Sequence, residues 1–115
     1  MNGINVQLLN GAMNNNLDHL NLLRKIQYKS KSTQRELASE LGFSVGKLNY
    51  CLKALRVNGL IKINNFKNNN KKISYIYNLT PKGLTKKTEL ALNFMKENMR
   101  EYDQLSKELN KKVEI

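Results

Sequence analysis

Gly42 separates two short amphipathic patterns, and this arrangement constrains the 115-residue chain more than any other feature. On its N-terminal side, Thr33-Gln34-Arg35-Glu36 fits a capping box. In such a box the Thr hydroxyl accepts from the amide three residues on, and the Glu reaches back. The helix it opens runs to Leu41 and buries Leu37, Ala38 and Leu41. Gly42 ends that helix, because glycine takes left-handed backbone angles without strain. Beyond it, Ser44 is a second N-cap, with Phe43 and Leu48 as its hydrophobic staple. The next helix runs from about Ser44 to Asn58, with Leu48, Cys51, Leu52 and Leu55 as its apolar stripe. Asn58-Gly59 stops it. Two helices joined by a short turn containing Gly form a helix-turn-helix.

The second helix of such a unit enters the major groove of DNA, and its N-terminal residues meet base edges. Opposite the apolar stripe stand Gly46, Lys47, Asn49, Tyr50 and Lys53. Gly46 permits close approach of the backbone to DNA. Asn49 can pair bidentately with adenine, and Lys47 can reach guanine or phosphate. A solvated helix face would look the same in isolation; the surrounding charge argues otherwise. The chain has a formal net charge of +11. Between Glu40 and Glu89 there is no acidic residue, yet the stretch holds Lys47, Lys53, Arg56, Lys62, Lys67, Lys71, Lys72, Lys82, Lys86 and Lys87. A coding bias toward Lys and Asn would act along the whole chain and would not empty one block of acids. A one-signed block is the electrostatic footprint of a polyanion binder.

The rest of the chain frames this unit. Residues 1–15 read as a loose leader. A first helix covers roughly 16–28, carrying Leu17, Leu20, Leu22, Leu23 and Ile26 at helical spacing. Residues 29–32 are a polar break. After Gly59, Ile61 and Ile63 alternate with polar residues, and Ile73, Tyr75, Tyr77 and Leu79 repeat the pattern. This is a β-hairpin whose long basic tip includes Lys67, Asn68, Asn69, Asn70, Lys71 and Lys72. Asn tolerates left-handed angles, so the tip turns without glycine, and its lysines suit phosphate or the minor groove. Thr80-Pro81 then caps a helix that nothing breaks before Val113. Along it Leu92, Met95, Met99, Tyr102, Ser106, Leu109 and Val113 form a heptad seam with one polar position. A seam on a helix that outreaches its domain calls for a second copy. The expected class is therefore mainly α with a small β-hairpin (α+β), divided into the leader, a DNA-binding domain over 16–80 and a dimerisation helix over 81–115.

Several functions are disfavoured. One Cys and one His, Cys51 and His19, cannot build a Cys/His zinc site. The six glycines make no phosphate loop, and no nucleophile-base pattern is present. No cofactor, metal or catalytic residue is expected. No apolar run approaches membrane-spanning length, no signal pattern opens the chain, and a cytoplasmic location follows. Cys51 lies on the apolar stripe and reads as a core thiol rather than a redox sensor. His19 reads as a surface or interface residue.

At the level of words, TQRELASELGFSVGKLNYCLKALRVNGLI followed by YNLTPKG resembles the MarR-like winged-helix transcriptional regulators. It is most similar to the short subgroup associated with exopolysaccharide gene clusters, and the likeness spans about residues 16–110. It implies a winged helix-turn-helix fold with a long C-terminal helix, and a homodimer on double-stranded DNA. It puts Ser44, Val45, Gly46, Lys47, Asn49 and Tyr50 on recognition-helix contact positions. Thr33, Gln34 and Arg35 fall at the start of a supporting helix that commonly holds phosphate, and Lys67 to Lys72 fall on the wing. Larger MarR proteins devote more helix to the dimer and often hold a phenolic effector there; a small-molecule effector is unknown here. Two other readings stand beside this one: a winged-helix adaptor that binds an acidic protein, and a nonspecific DNA-binding protein of phage or plasmid maintenance.

Overall fold

The computed structural model describes residues 3–67 and 73–113, with side chains described over 15–65 and 74–111. The wing tip, Asn68 to Lys72, lies outside the described residues. The elements are α1 (Gly3–Tyr28), β1 (Lys31–Ser32), α2 (Gln34–Leu41), α3 (Val45–Val57), β2 (Ile61–Lys67), β3 (Ile73–Leu79) and α4 (Pro81–Val113). The sheet is antiparallel in the order β1-β3-β2.

Both helices of the central unit start and stop as their sequences dictate. Thr33 Oγ1 accepts from the Glu36 amide at 3.1 Å, and Ser44 Oγ accepts from the Lys47 amide at 3.1 Å. Among the described residues Gly42 and Gly59 are left-handed, at φ 70° and 73°. After each, the chain closes a Schellman motif. The Phe43 amide donates to the Ala38 carbonyl at 2.8 Å and the Gly42 amide to that of Ser39 at 3.2 Å. The Leu60 amide donates to the Leu55 carbonyl at 2.9 Å and the Gly59 amide to that of Arg56 at 3.0 Å. These caps satisfy backbone groups that a helix end otherwise leaves to water.

The core follows the expected stripes. Leu48, Cys51, Leu52 and Leu55 of α3 are buried against Leu20, Leu22, Leu23 and Ile26 of α1 and Leu37 and Ala38 of α2. A helix as short as α2 is unstable alone. Burying Leu37 completely contributes about 1.5–3 kcal/mol, which outweighs any exposed ion pair. Leu41 and Phe43 pack on the same core from its margin.

Two elements depart from the sequence reading. α1 starts at Gly3, so residues 3–15, expected as a loose leader, are helical. No proline interrupts the segment, and the Asn14-Asn15-Asn16 cluster that suggested a helix start is carried within the helix instead. Helix extension costs little per residue once a nucleus exists. The polar break at 29–32 contains β1, whose Lys31 and Ser32 pair with Ile76 and Tyr75. Two residues are too few to show a period-2 pattern. Their extended backbone is imposed by β3, and the Tyr77 amide adds a bond to the Ser30 carbonyl at 2.8 Å.

Candidate nucleic-acid interface

The outward face of α3 is the centre of the site. Its core stripe turns inward, which leaves Val45, Gly46, Asn49, Tyr50 and Lys53 exposed. Val45 and Tyr50 are 44% and 73% exposed. At the start of α2, Thr33 and Gln34 are half-buried and Arg35 is exposed, with Thr33 committed to its cap. The wing's strands are in place, paired from Ile61↔Leu79 to Lys67↔Ile73. Lys67 ends β2 at the wing, and Asn68, Asn69, Asn70, Lys71 and Lys72 belong to the tip that is not described.

Lys47 stands apart from its neighbours. Its Nζ lies 2.9 Å from Asp18 Oδ2 and 4.4 Å from the centre of the Phe43 ring. Although exposed, it ties the first turn of α3 to α1 through this pair. Asp18 was not among the residues singled out from sequence; it lies on a different helix and no local pattern marks it. A second such tie joins α2 to α1, where Glu40 meets Lys25 at 3.2 Å and Lys29 at 2.5 Å. The Lys29 ammonium, followed by that of Lys25, holds the Glu40 carboxyl below the usual carboxylate range.

The Thr80-Pro81-Lys82-Gly83 segment is a clamp between the wing and the end of α3. The Thr80 amide donates to the Leu60 carbonyl at 3.0 Å, and Thr80 Oγ1 donates to the Gly59 carbonyl at 2.6 Å. The same hydroxyl accepts from the Gly83 amide at 3.0 Å, capping α4. Gly83 is buried where α4 crosses Leu60. These residues therefore hold the wing's base against the end of α3.

α4 carries two apolar faces. Leu90, Ala91 and Phe94 pack inward on the core, chiefly toward α1. Leu92, Met95, Met99, Tyr102 and Leu109 are exposed, as is Leu105, which the seam omitted. Ser106 is half-buried, and Val113 ends the helix with its side chain undescribed. A shallow apolar groove lined by Leu17, Leu20, Leu90 and Phe94 runs between α1 and α4. At 33 residues α4 spans about 50 Å, and the molecule is 68 Å along its major axis.

Cys51 is 2% exposed, and burial pushes its thiol up, with Asp18 adding to the rise. A protonated, enclosed thiol is a poor nucleophile. His19 is half-buried, and burial lowers its imidazole despite the neighbouring Asp18. Among the described residues no helix is long and apolar enough to cross a membrane.

Residues 19–62 match a family model described as winged helix-turn-helix DNA-binding. This covers the end of α1, the helix-turn-helix and the first residues of β2. No curated protein matches the chain. Several solved structures share its fold. A PadR-like transcriptional regulator from Bacillus cereus strain ATCC 14579 superposes with a TM-score of 0.68 at 19% identity, over 86% of this chain and 96% of that one. A protein described as a transcriptional regulator from Thermoplasma acidophilum gives 0.66 at 16% identity, over 80% and 93%. MarR from Staphylococcus aureus, in complex with salicylate and kanamycin, gives 0.55 at 23% identity, over 80% and 65%. At such identities the likeness defines the architecture. The chain is a winged helix-turn-helix domain with a long C-terminal helix, and its structural neighbours lie among the MarR and PadR-like regulators.

Proposed function

We propose that this protein is a sequence-specific DNA-binding transcriptional regulator that acts as a homodimer in the cytoplasm. One observation carries the reading. The exposed face of α3 presents Val45, Gly46, Asn49, Tyr50 and Lys53 within a block that has no acidic residue between Glu40 and Glu89. In this reading α3 enters the major groove. Thr33, Gln34 and Arg35 lie beside the phosphates, and the basic wing over 64–72 reaches phosphate or the minor groove. The structural neighbours from Thermoplasma acidophilum and Bacillus cereus are described as transcriptional regulators, which supports the same assignment. The resemblance to the exopolysaccharide-associated subgroup makes an exopolysaccharide gene cluster the first place to seek the operator.

The exposed seam of α4 supports the dimer. Leu92, Met95, Met99, Tyr102 and Leu109 would pack against a second copy, each chain supplying one recognition helix. Two such helices meet successive major grooves about 34–36 Å apart on an inverted repeat. Six to ten phosphate contacts would lower affinity roughly 10³–10⁵-fold between 50 and 200 mM salt.

Selection from a random duplex library at near-physiological salt tests the reading. Enrichment of an inverted repeat is the expected result. Salt-sensitive retention with no enriched sequence would replace it with nonspecific binding. No retention of DNA would favour an adaptor that docks an acidic protein.

A further inference from the structure

The chemistry of the α3 face narrows what it reads, taking the DNA-binding reading above as its basis. Arg or Lys on guanine is the commonest specific contact in the major groove. Of the first-turn residues, Ser44 is engaged as the helix cap and Lys47 is held by Asp18 at 2.9 Å with its ammonium over Phe43. Exposed over the first two turns are Val45, Gly46, Asn49 and Tyr50, together with Lys47, whose ammonium is paired with Asp18.

Gly46 has no explanation within the chain. Glycine is a poorer helix former than alanine. Its φ is not left-handed, and a Cβ built on it meets nothing within 4 Å. Neither backbone angle nor internal packing requires the missing side chain, and the position is open to close approach from outside. The bare spot is flanked by Val45 and Tyr50, both exposed and apolar. Exposed apolar side chains beside an amide match one base pair best. Thymine presents a 5-methyl group in the major groove, and adenine presents the N6/N7 edge that Asn recognises bidentately.

We infer that α3 reads A·T pairs, thymine through its 5-methyl group against Val45, Gly46 and Tyr50, and adenine through Asn49. Asp18 is the positioning residue that withholds Lys47 from guanine.

Deoxyuridine substitution in the selected duplex tests this, because it deletes the methyl and leaves base pairing intact. Affinity is read by fluorescence anisotropy at fixed salt. Each contacted thymine replaced by deoxyuridine should weaken binding roughly fourfold, the factor for one buried methyl group. The same change outside the half-sites should have no effect. In Val45→Ala and Tyr50→Ala variants the distinction between thymine and deoxyuridine should shrink. All of these side chains are exposed, so folding is preserved and circular dichroism checks it. Asp18→Asn should raise affinity for half-sites carrying an introduced guanine. It should do so in the parent chain but not beside Lys47→Gln.

Equal binding of thymine and deoxyuridine duplexes, or half-sites selected as G·C, would overturn the inference and leave the regulator reading standing. Failure to select any sequence would remove both. An Asp18→Asn effect that survives Lys47→Gln would show that Asp18 acts only as a general negative charge and would overturn its assigned role.

Discussion

A Cβ placed on Gly83 would fall 1.9 Å from the Leu60 carbonyl oxygen. That distance is shorter than any non-bonded contact permits, and the obstacle is backbone, which cannot rotate away. Gly83→Ala must therefore push α4 off the end of α3, opening the bonds that Thr80 makes to Gly59 and Leu60. We expect a loss of about 2–3 kcal/mol, within the range for overpacking at a fixed backbone. It should appear as a lower urea midpoint at an unchanged slope. Thr80→Val should lose about 1 kcal/mol through the cap alone, and Thr80→Ser should retain most of it.

Tyr77 supplies a pH signature. It is 1% exposed, and burial pushes its phenol up to about 12, with Tyr75 at 6.0 Å contributing. The unfolded phenol titrates near 10. A raised folded value means that the folded chain keeps its proton after the unfolded chain has lost it. The stabilisation is complete below pH 10 and is lost as pH rises through 12. Tyr77→Phe should remove this dependence. The difference between the urea midpoints of the two proteins should change above pH 10 and stay constant below it.

Asn49→Ala should weaken binding to the selected site by about 1–3 kcal/mol and leave binding to random duplexes nearly unchanged. Asn49 is exposed and alanine is the better helix former, so thermal stability should hold or rise. Equal losses on both DNAs would assign Asn49 to phosphate rather than to a base. Lys47→Ala should be the milder change on the selected site, because its ammonium is held by Asp18.

Met99→Glu should convert dimers to monomers in sedimentation experiments. Met99 is 65% exposed in the single chain, so the substitution leaves the domain core intact. An undisturbed dimer would place the interface elsewhere. A mixed population that shifts with protein concentration would be read as a weakened seam.

The parts of this fold legible in the sequence are those fixed within one or two helical turns. Thr33, Ser44, Gly42 and Gly59 each act on backbone groups a few residues away, so their identities alone locate the ends of α2 and α3. The buried stripe of α3 and the unpartnered seam of α4 follow from helical period, which also needs no partner to be seen. The acid-free block announced a polyanion because charge composition is independent of fold.

What the tertiary structure decided involves contacts between segments far apart in the chain. β1 exists because β3 offers it a pairing edge, and two polar residues carry no pattern of their own. The inner face of α4 is set by Leu90 and Phe94 meeting α1, a match that a single helix cannot display. Gly83 reads as an ordinary early-helix residue until Leu60 is brought against it. The pairing of Lys47 with Asp18 of α1 is invisible until the two helices are packed together. The sequence by itself determined which residues cap, turn and line the core. The packing of α1 and α4 around them decided which basic side chains meet a carboxylate and which glycine must stay bare, because only the assembled fold brings opposite charges and backbone surfaces from distant segments within contact distance.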